Sequence, residues 1–383
     1  MHVFHREALA TEMAARILSA AGPAAAASGL LLVAPRRTGK STFLRADLVP
    51  ELRRSGALVI HVDLWEDRSA EPGMVIVEAI RQELWKHAHV MRRLVQAVAL
   101  DADEADDVSF VLDRVGLGSG ISLAAAFELL AADAQQPIVL ILDEAQHAST
   151  SALGNDALFA LKGARDRLNT GPYHGMRILA SGSHRDKLAM LCHSHDQPFF
   201  CAPWMELPPL GMDFVQWFCT RQTYARPLDA GAVFHAFRRA GYRPQMLQAA
   251  ALAVPRDTAG DALDLRFASA IDTQITEHRR GQLRVVEALT PLDSTVLRVA
   301  AARGHRFSPF WPDTMRAYRE VMARLAPDDD TPIDHCHIDL ALESLCDKSL
   351  LWRNTHGVYA LQETGLDALL RDAGMLGVVP ALS

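Results

Sequence analysis

The chain has 383 residues, of which 49% are hydrophobic and 22% charged, the composition of an ordinary globular protein with two or three domains. Its formal net charge of −7 gives no overall attraction to nucleic acid or to an anionic membrane. No apolar run approaches the roughly 20 residues of a membrane span, and the N-terminus lacks the apolar segment of a signal peptide. We therefore expect no membrane partner.

Five cysteines are scattered along the chain, and this odd number fits a reducing cytoplasm better than a disulfide framework. Two groups of His and Cys residues, at 192–201 and 335–337, lack the paired C-x-x-C spacing of a zinc site. The sequence therefore predicts a cytoplasmic protein without a zinc centre.

The first predicted elements are a helix over residues 7–21, a strand over 29–34 and a loop that enters a second helix. The loop fits the pattern G-x-x-x-x-G-K-[ST], except that Ala34 replaces the first glycine. Backbone N–H groups of such a loop bind phosphate oxygens at the N-terminus of the helix. Lys40 would reach the β- and γ-phosphates, and the Ser41 hydroxyl would hold Mg²⁺. The expected phosphate-binding residues are Pro35, Arg36, Arg37, Thr38, Gly39, Lys40, Ser41 and Thr42.

A second motif lies about a hundred residues downstream, where the apolar run 137–142 ends in Asp143 and Glu144. A continuous apolar run is typical of a buried parallel strand, and ligands of open α/β sheets bind at the carboxyl ends of such strands. Asp143 would therefore lie beside Mg²⁺, and Glu144 would polarise the water that attacks the γ-phosphate. Together the two motifs predict a site for a nucleoside triphosphate and its Mg²⁺.

The other elements of the first two hundred residues alternate between strand and helix. They are predicted at 57–63, 73–98, 122–133, 155–168 and 177–180. The acidic stretch 101–107 and the glycine-rich stretch 116–120 are predicted to form an exposed excursion. Such alternation implies a parallel sheet covered by helices on both faces. We expect an α/β core over residues 1–208.

Beyond Pro208 and Pro209 the pattern becomes helical. Helices are predicted at 212–223, 229–240, 244–254 and 262–280, which we expect to form a helical lid over 209–283. Further helices are predicted at 292–303, 339–350 and 364–371, with a short hairpin at 351–361. Helices followed by a small hairpin indicate a winged-helix domain, expected over 284–375.

In these motifs the chain resembles AAA+-type P-loop ATPases, in the branch of the archaeal-type ATPases, replication initiators and transposition regulators. The resemblance rests on F-H-R-E at 4–7, the phosphate loop, D-E-A-Q-H at 143–147 and G-Y-R-P at 241–244, and so spans the first 250 residues. The order of domains matches that branch as well. The resemblance implies ATP hydrolysis in an α/β P-loop fold with a helical lid and a C-terminal winged helix.

The resemblance also implies roles for residues outside the two phosphate motifs. Phe4 and Arg6 would lie near the adenine. Ser181 or Ser183, at the end of the strand that follows the Asp-Glu motif, would sense the γ-phosphate. Arg243 would contact the γ-phosphate from the lid.

One departure concerns the arginine that many AAA+ rings supply to the neighbouring subunit. The expected region, residues 195–204, contains no arginine. Arg165 and Arg167 precede the strand end at 181–183 and Arg185 follows it; any of the three could serve, but none is in the expected place. Because such an arginine is worth about 10³–10⁵ in rate, we expect slow hydrolysis and a switch rather than a motor. The sequence does not decide whether an oligomer forms on ATP binding.

Two hypotheses remain for the client of the switch. In the first, the winged helix docks on double-stranded DNA through a recognition helix over 338–350, with Arg353 on the wing. Residues 284–375 argue against strong binding, because they contain 10 Lys/Arg against 14 Asp/Glu. In the second, the protein is a signal-transduction (STAND-like) ATPase whose winged helix binds a protein. The segment 307–312, with its aromatic residues, would then be either a docking patch or part of the core of the winged-helix domain.

Overall fold

The computed structural model describes residues 3–19, 29–67, 69–99, 113, 115–117, 120–192, 197–258, 262–354, 356–363 and 365–379. The chain divides into two compact units. The first comprises residues 1–34 and 40–208, and the second comprises residues 209–383 together with the loop 35–39. None of the described helices is both long and apolar enough to cross a lipid bilayer.

A parallel sheet forms the centre of the first unit, with the strand order β2-β5-β6-β1-β7. Its strands are β1 (Leu30–Val33), β2 (Leu58–Asp63), β5 (Ile138–Asp143), β6 (Met176–Gly182) and β7 (Trp204–Glu206). The short strands β3 (Val115–Gly116) and β4 (Ile121–Ser122) pair with each other outside it. Since every residue of β5 is buried, the continuous apolar run is explained by a central strand.

Helices of the first unit connect these strands. They are α1 (Glu7–Ser19), α2 (Lys40–Phe43), α3 (Val49–Arg54), α4 (Pro72–Trp85), α5 (Ala88–Ala99), α6 (Leu123–Ala134), α7 (Ala152–Thr170) and α8 (Arg185–Ala189). A π-helical turn, Leu44–Leu48, joins α2 to α3, and a 3₁₀ turn, Ala145–Thr150, follows β5.

Two apolar cores lie on opposite faces of the sheet, because alternate residues of a strand point to opposite sides. Ile138, Leu140 and Leu142 belong to one core, which the side chains of α4, α6 and α7 complete. Val139 and Ile141 belong to the other, which side chains of α1, α2 and α3 complete. The predicted α/β core with helices on both faces is confirmed.

Two local expectations in this unit were wrong. The helix expected over 73–98 is interrupted between Trp85 and Ala88, so that two helices replace one. Gly116, in the stretch expected as an exposed excursion, is half-buried and belongs to β3. The preceding residue, Val115, is buried in the core, and its carbonyl accepts a hydrogen bond from Arg81 Nε over 2.9 Å. The acidic stretch 101–107 and residues 118–119 lie outside the described residues.

The second unit is built mainly of helices. They are α9 (Met212–Cys219), α10 (Ala230–Arg239), α11 (Pro244–Ala253), α12 (Ala262–Glu287), α13 (Pro291–Arg303), α14 (Pro312–Leu325), α15 (His335–Asp347) and α16 (Leu366–Asp372). A 3₁₀ turn, Gly304–Arg306, follows α13, and strands β8 (Leu351–Arg353) and β9 (Tyr359–Leu361) form an antiparallel hairpin.

Two features of this unit differ from the sequence expectations, and a third bears on the segment considered as a docking patch. α12 continues to Glu287, so the boundary expected at residues 283–284 falls inside a helix. α14 was not predicted, although Pro312 stands at its first position. In the segment 307–312, Phe307 is buried in the core of this unit, whereas Trp311 is 65% exposed.

Candidate functional site

The candidate site lies at the carboxyl ends of three adjacent strands, β5, β6 and β1. Asp143 is the last residue of β5, and Ser181 lies one residue before the end of β6. The phosphate loop follows β1, and Lys40 begins α2 immediately after it. Parallel pairing therefore gathers residues that are more than a hundred positions apart at one edge of the sheet.

Asp143 is the centre of a buried network. It is 0% exposed, and its Oδ1 accepts hydrogen bonds from Lys40 Nζ and from the Ser181 hydroxyl. Its Oδ2 accepts a hydrogen bond from the Ser41 hydroxyl over 2.6 Å. Lys40 Nζ is also 3.1 Å from Glu144 Oε1. Both predicted motifs and the predicted sensor serine at 181 thus meet in one cluster.

The carboxylate of Glu144 is held in place by side chains on both sides. Its Oε2 accepts hydrogen bonds from Gln146 Nε2 over 2.6 Å and from the Ser183 hydroxyl over 2.9 Å. The backbone of Glu144 is left-handed, with φ of 55°, which is uncommon for a residue with a side chain and typical of functional sites. The strained backbone therefore coincides with the residue predicted to orient water.

Both carboxylates are ionised at neutral pH. Burial raises the pKa of Asp143, but the charge of Lys40 and hydrogen bonds from Lys40, Ser181 and Ser41 outweigh it and hold the pKa below its ordinary value. For Glu144 burial is again opposed, by the charge of Lys40 and the hydrogen bond from Gln146, and the net pKa is lowered. Each carboxylate can therefore act as a hydrogen-bond acceptor, a metal ligand or a base.

The donor set suits Mg²⁺. The Ser41 hydroxyl and the Asp143 carboxylate supply hard oxygen ligands that already lie within hydrogen-bond distance of each other. In the described part of the chain, no group of three or more His, Cys, Asp or Glu side chains could hold a metal ion. A magnesium ion at Ser41 and Asp143 would therefore complete its shell with phosphate oxygens and water, as Mg²⁺ commonly does.

The phosphate loop has the backbone of a tight wrap. Gly39 has φ of 94°, a conformation open to glycine at low cost, and Arg37 is also left-handed at 64°. The Thr38 hydroxyl donates to the Pro35 carbonyl over 2.7 Å. Thr38 and Lys40 are buried, Arg36, Gly39 and Ser41 are half-buried, and Pro35, Arg37 and Thr42 are exposed.

Arg243, the predicted lid residue, precedes α11 in the second unit. Burial lowers the pKa of its guanidinium, the neighbouring charge of Arg37 lowers it further, and Glu363 opposes the shift. Since Arg37 also belongs to the second unit, two cations lie close together there, one of them on the phosphate loop.

Phe4 and Arg6, which the resemblance places near the base, lie in the extended segment before α1. Both are half-buried. The Arg6 guanidinium lies 5.8 Å from the centre of the Phe43 ring, one turn into the helix after the phosphate loop. Its Nη1 donates to the Pro208 carbonyl over 2.8 Å.

The three arginines considered for contact with a neighbouring subunit differ in their exposure to solvent. Arg165 is 1% exposed and pairs with Asp166, so its guanidinium is not available to another copy of the chain. Arg185 is exposed, lies 5.2 Å from the Trp204 ring centre and pairs with Glu206 at 2.9 Å. Arg167 lies 3.6 Å from Glu128. The segment 193–196, with its two histidines, lies outside the described residues.

Sequence reasoning missed one part of the site and one carboxylate on the strand beside it. Gln146 was quoted only as part of a motif, but its amide holds Glu144. Asp63 lies in register with Asp143 on the neighbouring strand β2 and pairs with Arg45. An apolar strand that ends in a carboxylate was the signal that identified Asp143, and the same signal marks Asp63. No sequence signal identifies Gln146, because its role depends on the turn after β5.

No protein-family model and no curated protein matched the chain. Among solved structures, the ORC2 protein of Aeropyrum pernix in its ADP form is 15% identical, covers 97% of this chain and 92% of its own, and gives a TM-score of 0.51. A Walker-type ATPase of Pyrococcus abyssi is 17% identical, covers 96% of both chains and gives a TM-score of 0.49. The latter likeness is too loose to support an argument.

The likeness to the ORC2 protein extends over nearly the whole chain and concerns the fold. Together with the sheet order and the phosphate loop, it defines the class: the chain has the AAA+-type P-loop fold, a parallel five-stranded sheet with helices. The fold class expected from the sequence motifs is thereby confirmed.

Proposed function

We propose that this protein binds ATP with Mg²⁺ at the Lys40 site, hydrolyses it slowly and acts as a nucleotide-dependent switch. One observation supports this most strongly. Lys40, Ser41, Asp143 and Glu144 converge at the carboxyl edge of a parallel sheet, next to a phosphate loop with a left-handed glycine. Each side chain has the chemistry that nucleotide hydrolysis requires at that place.

Each residue has a role in the reaction. The loop N–H groups and Lys40 bind the phosphates, and Ser41 and Asp143 hold Mg²⁺, which supplies charge neutralisation on the phosphate oxygens. Glu144 orients a water molecule and accepts its proton while the water oxygen bonds to the γ-phosphorus. The bond from the γ-phosphorus to the bridging oxygen then breaks and leaves ADP and inorganic phosphate. Because the pKa of Glu144 is lowered, the carboxylate is ionised and ready to accept the proton.

The preference for adenine rests on resemblance. Phe4 and Arg6 are assigned to the base because the N-terminal motif resembles the branch described above. The similar ORC2 structure is of an ADP form, which supports an adenine nucleotide as the ligand. A comparison of ATP with GTP in the same binding assay tests this assignment, and equal affinity would remove it.

Three residues, Ser181, Ser183 and Arg243, are assigned to sensing the γ-phosphate. Ser181 and Ser183 would respond from the sheet through Asp143 and Glu144. Arg243 would respond from the second unit, supported by Arg37, whose charge lies close enough to lower the pKa of Arg243. An anion bound near two such cations would relieve their repulsion. ATP and ADP would then favour different states of the second unit, which is how a switch uses the nucleotide.

A phosphate-release assay tests the proposed hydrolysis. Glu144→Gln keeps the shape of the side chain and its place beside Ser183 but cannot accept a proton. We expect this variant to retain ATP binding and to lose about 10²-fold or more in turnover, the usual contribution of a general base. Asp156→Asn, an exposed acid on α7, is the matched control and should hydrolyse at the parent rate. Parent-rate turnover by Glu144→Gln would remove Glu144 from its assigned role.

Slow hydrolysis is proposed because residues 195–204, where many AAA+ rings have an arginine that acts on the neighbouring subunit, contain no arginine. Arg167 and Arg185 remain candidates for that role, since both are exposed and Arg165 is buried. If an ATP-bound oligomer forms, Arg185→Ala should slow turnover in proportion to the oligomer present. The mass in solution of the Glu144→Gln variant with ADP and with ATP shows whether such an oligomer exists.

The client is proposed with two alternatives. The hairpin β8–β9 after α15 is the arrangement expected of a winged helix, and DNA is its simplest client. The exposed face of α15, however, presents Asp339, Glu343 and Asp347, which repel phosphates. Lys348, the one cation of that helix region, is paired with Asp293 at 2.8 Å. These charges favour the second alternative, a protein partner for the C-terminal part.

A gel shift with short duplex DNA separates the alternatives. Arg353 is the residue to change, because it is the cation on the wing. It lies on β8, and its guanidinium is 5.5 Å from the Tyr359 ring centre. A salt-sensitive shift that disappears in the Arg353→Glu and Lys348→Glu double variant would establish DNA binding by this region. No shift even at low salt would leave the signal-transduction alternative.

We also propose a cytoplasmic location, because the cysteines suggest a reducing compartment; all five are free thiols.

The division into a core over 1–208, a lid over 209–283 and a winged helix over 284–375 is likewise proposed. Because α12 runs through residue 284, the lid and the winged helix would share one continuous helix. Limited proteolysis with and without ATP tests the division, because a linker would be cut before a continuous helix.

A further inference from the structure

Asp47 is a buried carboxylate on the helix that follows the phosphate loop, and no motif identified it. Its side chain is 2% exposed and lies in the π-helical turn Leu44–Leu48. A buried carboxylate needs strong hydrogen-bond partners. Both of its partners come from the N-terminal segment: His5 Nδ1 lies 2.7 Å from Oδ1, and the backbone N–H of Arg6 donates to Oδ2 over 3.1 Å.

These bonds fix a short segment at a particular place in the first unit. Arg6 lies over the ring of Phe43, and Phe43 is the last residue of the α2 segment that begins with Lys40. At 1.5 Å per residue, that segment is only about 6 Å long. The opposite side of Arg6 is held by the Pro208 carbonyl over 2.8 Å. The N-terminal segment is therefore held against the helix that begins with Lys40.

The π-helical turn is a second unusual feature at the same place. Such turns are rare and occur often at functional sites. Here the turn contains the one buried carboxylate of the helix, and that carboxylate binds the N-terminal segment rather than the phosphate site. The first turn of the helix, with Lys40 and Ser41, would contact the phosphates. The next turn, with Asp47, contacts the N-terminal segment.

We propose that Asp47 is a positioning residue for the nucleoside end of the ligand. By holding His5 and the backbone of Arg6, it places Phe4 and the Arg6 guanidinium against the base of a nucleotide whose phosphates bind at Lys40. The inference rests on the proposed nucleotide binding and adds a residue that touches neither phosphate nor base. Its role is to attach the segment that contacts the base to the helix that follows the phosphate loop.

Two ligands that share a phosphate chain separate this role from general support of the helix. ATP carries the nucleoside, and inorganic tripolyphosphate does not. Asp47→Asn keeps the size of the side chain but loses its charge, so the bonds to His5 and Arg6 weaken. We expect the variant to bind ATP about tenfold more weakly, the equivalent of one charged hydrogen bond. Its affinity for tripolyphosphate should stay within about twofold of the parent, since no phosphate contact changes.

Two further variants complete the experiment. His5→Ala removes the partner on the surface, where the His5 side chain is 53% exposed, and should show the same selective loss for ATP. Glu12→Gln, an exposed acid on α1, should bind both ligands as the parent does. Equilibrium titrations in the presence of Mg²⁺ give all of these affinities.

The outcomes are distinct. Equal losses for ATP and tripolyphosphate in Asp47→Asn would make Asp47 a support of the phosphate helix and overturn the proposal, as would no loss for either ligand. If Asp47→Asn does not fold, His5→Ala decides alone, and parent-like ATP affinity in that variant overturns the proposal. If the parent binds neither ligand, the proposed function itself has failed.

Discussion

The hydroxyl of Ser183 donates a hydrogen bond to Oε2 of Glu144 over 2.9 Å. The two residues follow neighbouring parallel strands, since Ser183 comes directly after β6 and Glu144 directly after β5. The other carboxylate oxygen of Glu144, Oε1, lies 3.1 Å from Lys40 Nζ. Ser183 and Gln146 together aim the carboxylate that is proposed to orient the attacking water.

Removing this hydroxyl should slow the chemical step without weakening nucleotide binding. For Ser183→Ala we expect kcat to fall by about tenfold, the cost of losing one hydrogen bond to a charged group, with KM within about twofold of the parent. Ser183→Thr retains a hydroxyl and should recover most of the rate. A higher KM with unchanged kcat would mean that Ser183 contacts the ligand and does not position Glu144. Steady-state phosphate release measures both quantities.

A methyl group at Gly182 should force the side chain of Gln146 to move. A Cβ at this residue would lie 2.6 Å from Gln146 Oε1, the end of a buried side chain. Gly182→Ala should therefore displace Gln146 from Glu144, lower kcat by about tenfold or more and destabilise the fold by about 1–3 kcal/mol. Phosphate release and chemical denaturation measure the two effects.

Gly163 provides the matched control for that substitution. It lies in α7, and a Cβ there meets no atom within 4 Å. Gly163→Ala should leave hydrolysis unchanged and stabilise the protein by up to about 1 kcal/mol, because alanine is the better helix former. If both alanine variants hydrolysed ATP at the parent rate, Gln146 would not position Glu144.

Acid should weaken the fold through the two site carboxylates. The pKa values of Asp143 and Glu144 are lowered in the folded protein from ordinary values of 3.8 and 4.5. A lowered folded pKa adds stability at pH values above the ordinary pKa, and this contribution is lost as the pH falls through the folded pKa. We therefore expect the apparent Tm to fall below about pH 5, in part because these carboxylates become protonated.

The Asp143→Asn and Glu144→Gln double variant isolates this contribution. Since neither amide titrates in this range, its apparent Tm should fall less steeply with acid than that of the parent. Asp156→Asn, which changes an exposed acid, should follow the parent curve. Identical curves for the parent and the double variant would show that the lowered pKa values contribute nothing measurable to stability.

Tyr318 offers a stability prediction remote from the nucleotide site. Its side chain is fully buried, and its hydroxyl has no hydrogen-bond partner in the part of the chain that the structure describes. Burial raises its pKa, so the hydroxyl remains neutral. Tyr318→Phe should therefore raise the free energy of unfolding by about 1 kcal/mol, because a desolvated polar group is removed.

Tyr224→Phe is the matched comparison, because the hydroxyl of Tyr224 donates to the Ala251 carbonyl over 3.0 Å. Removing that hydroxyl should lower the free energy of unfolding by about 1 kcal/mol. Both variants should hydrolyse ATP as the parent does. A destabilised Tyr318→Phe variant would mean that this hydroxyl is bonded, for example to a buried water.

The sequence predicted the fold where local pattern and chemistry agree. The run that ends at Asp143 is apolar because both faces of β5 are buried, and the loop before Lys40 has a recognisable spacing. Parallel pairing then brings Lys40 and Asp143 together as expected. The fold class and the convergence of the two motifs were therefore accessible from residues alone.

Other features depend on tertiary contacts that leave no local pattern. Gly116 was expected in an exposed loop, but it pairs in β3 beside Val115, whose side chain the core buries and whose carbonyl Arg81 binds. In the sequence Asp47 resembles any acidic residue of a helix, because its partners His5 and Arg6 lie about forty residues upstream. Gln146 holds Glu144 only because a 3₁₀ turn follows β5.

Equilibrium binding of ATP to the parent and to Lys40→Ala, with Mg²⁺ present, tests the nucleotide-binding claim most directly. Lys40 is buried beside Asp143 at the start of the phosphate-loop helix, so its loss should remove the main positive charge facing the phosphates. We expect the parent to bind ATP and the variant to bind at least about 100-fold more weakly, a difference near 2.7 kcal/mol. A parent protein that does not bind ATP, or a Lys40→Ala variant that binds it equally well, would contradict the proposed site.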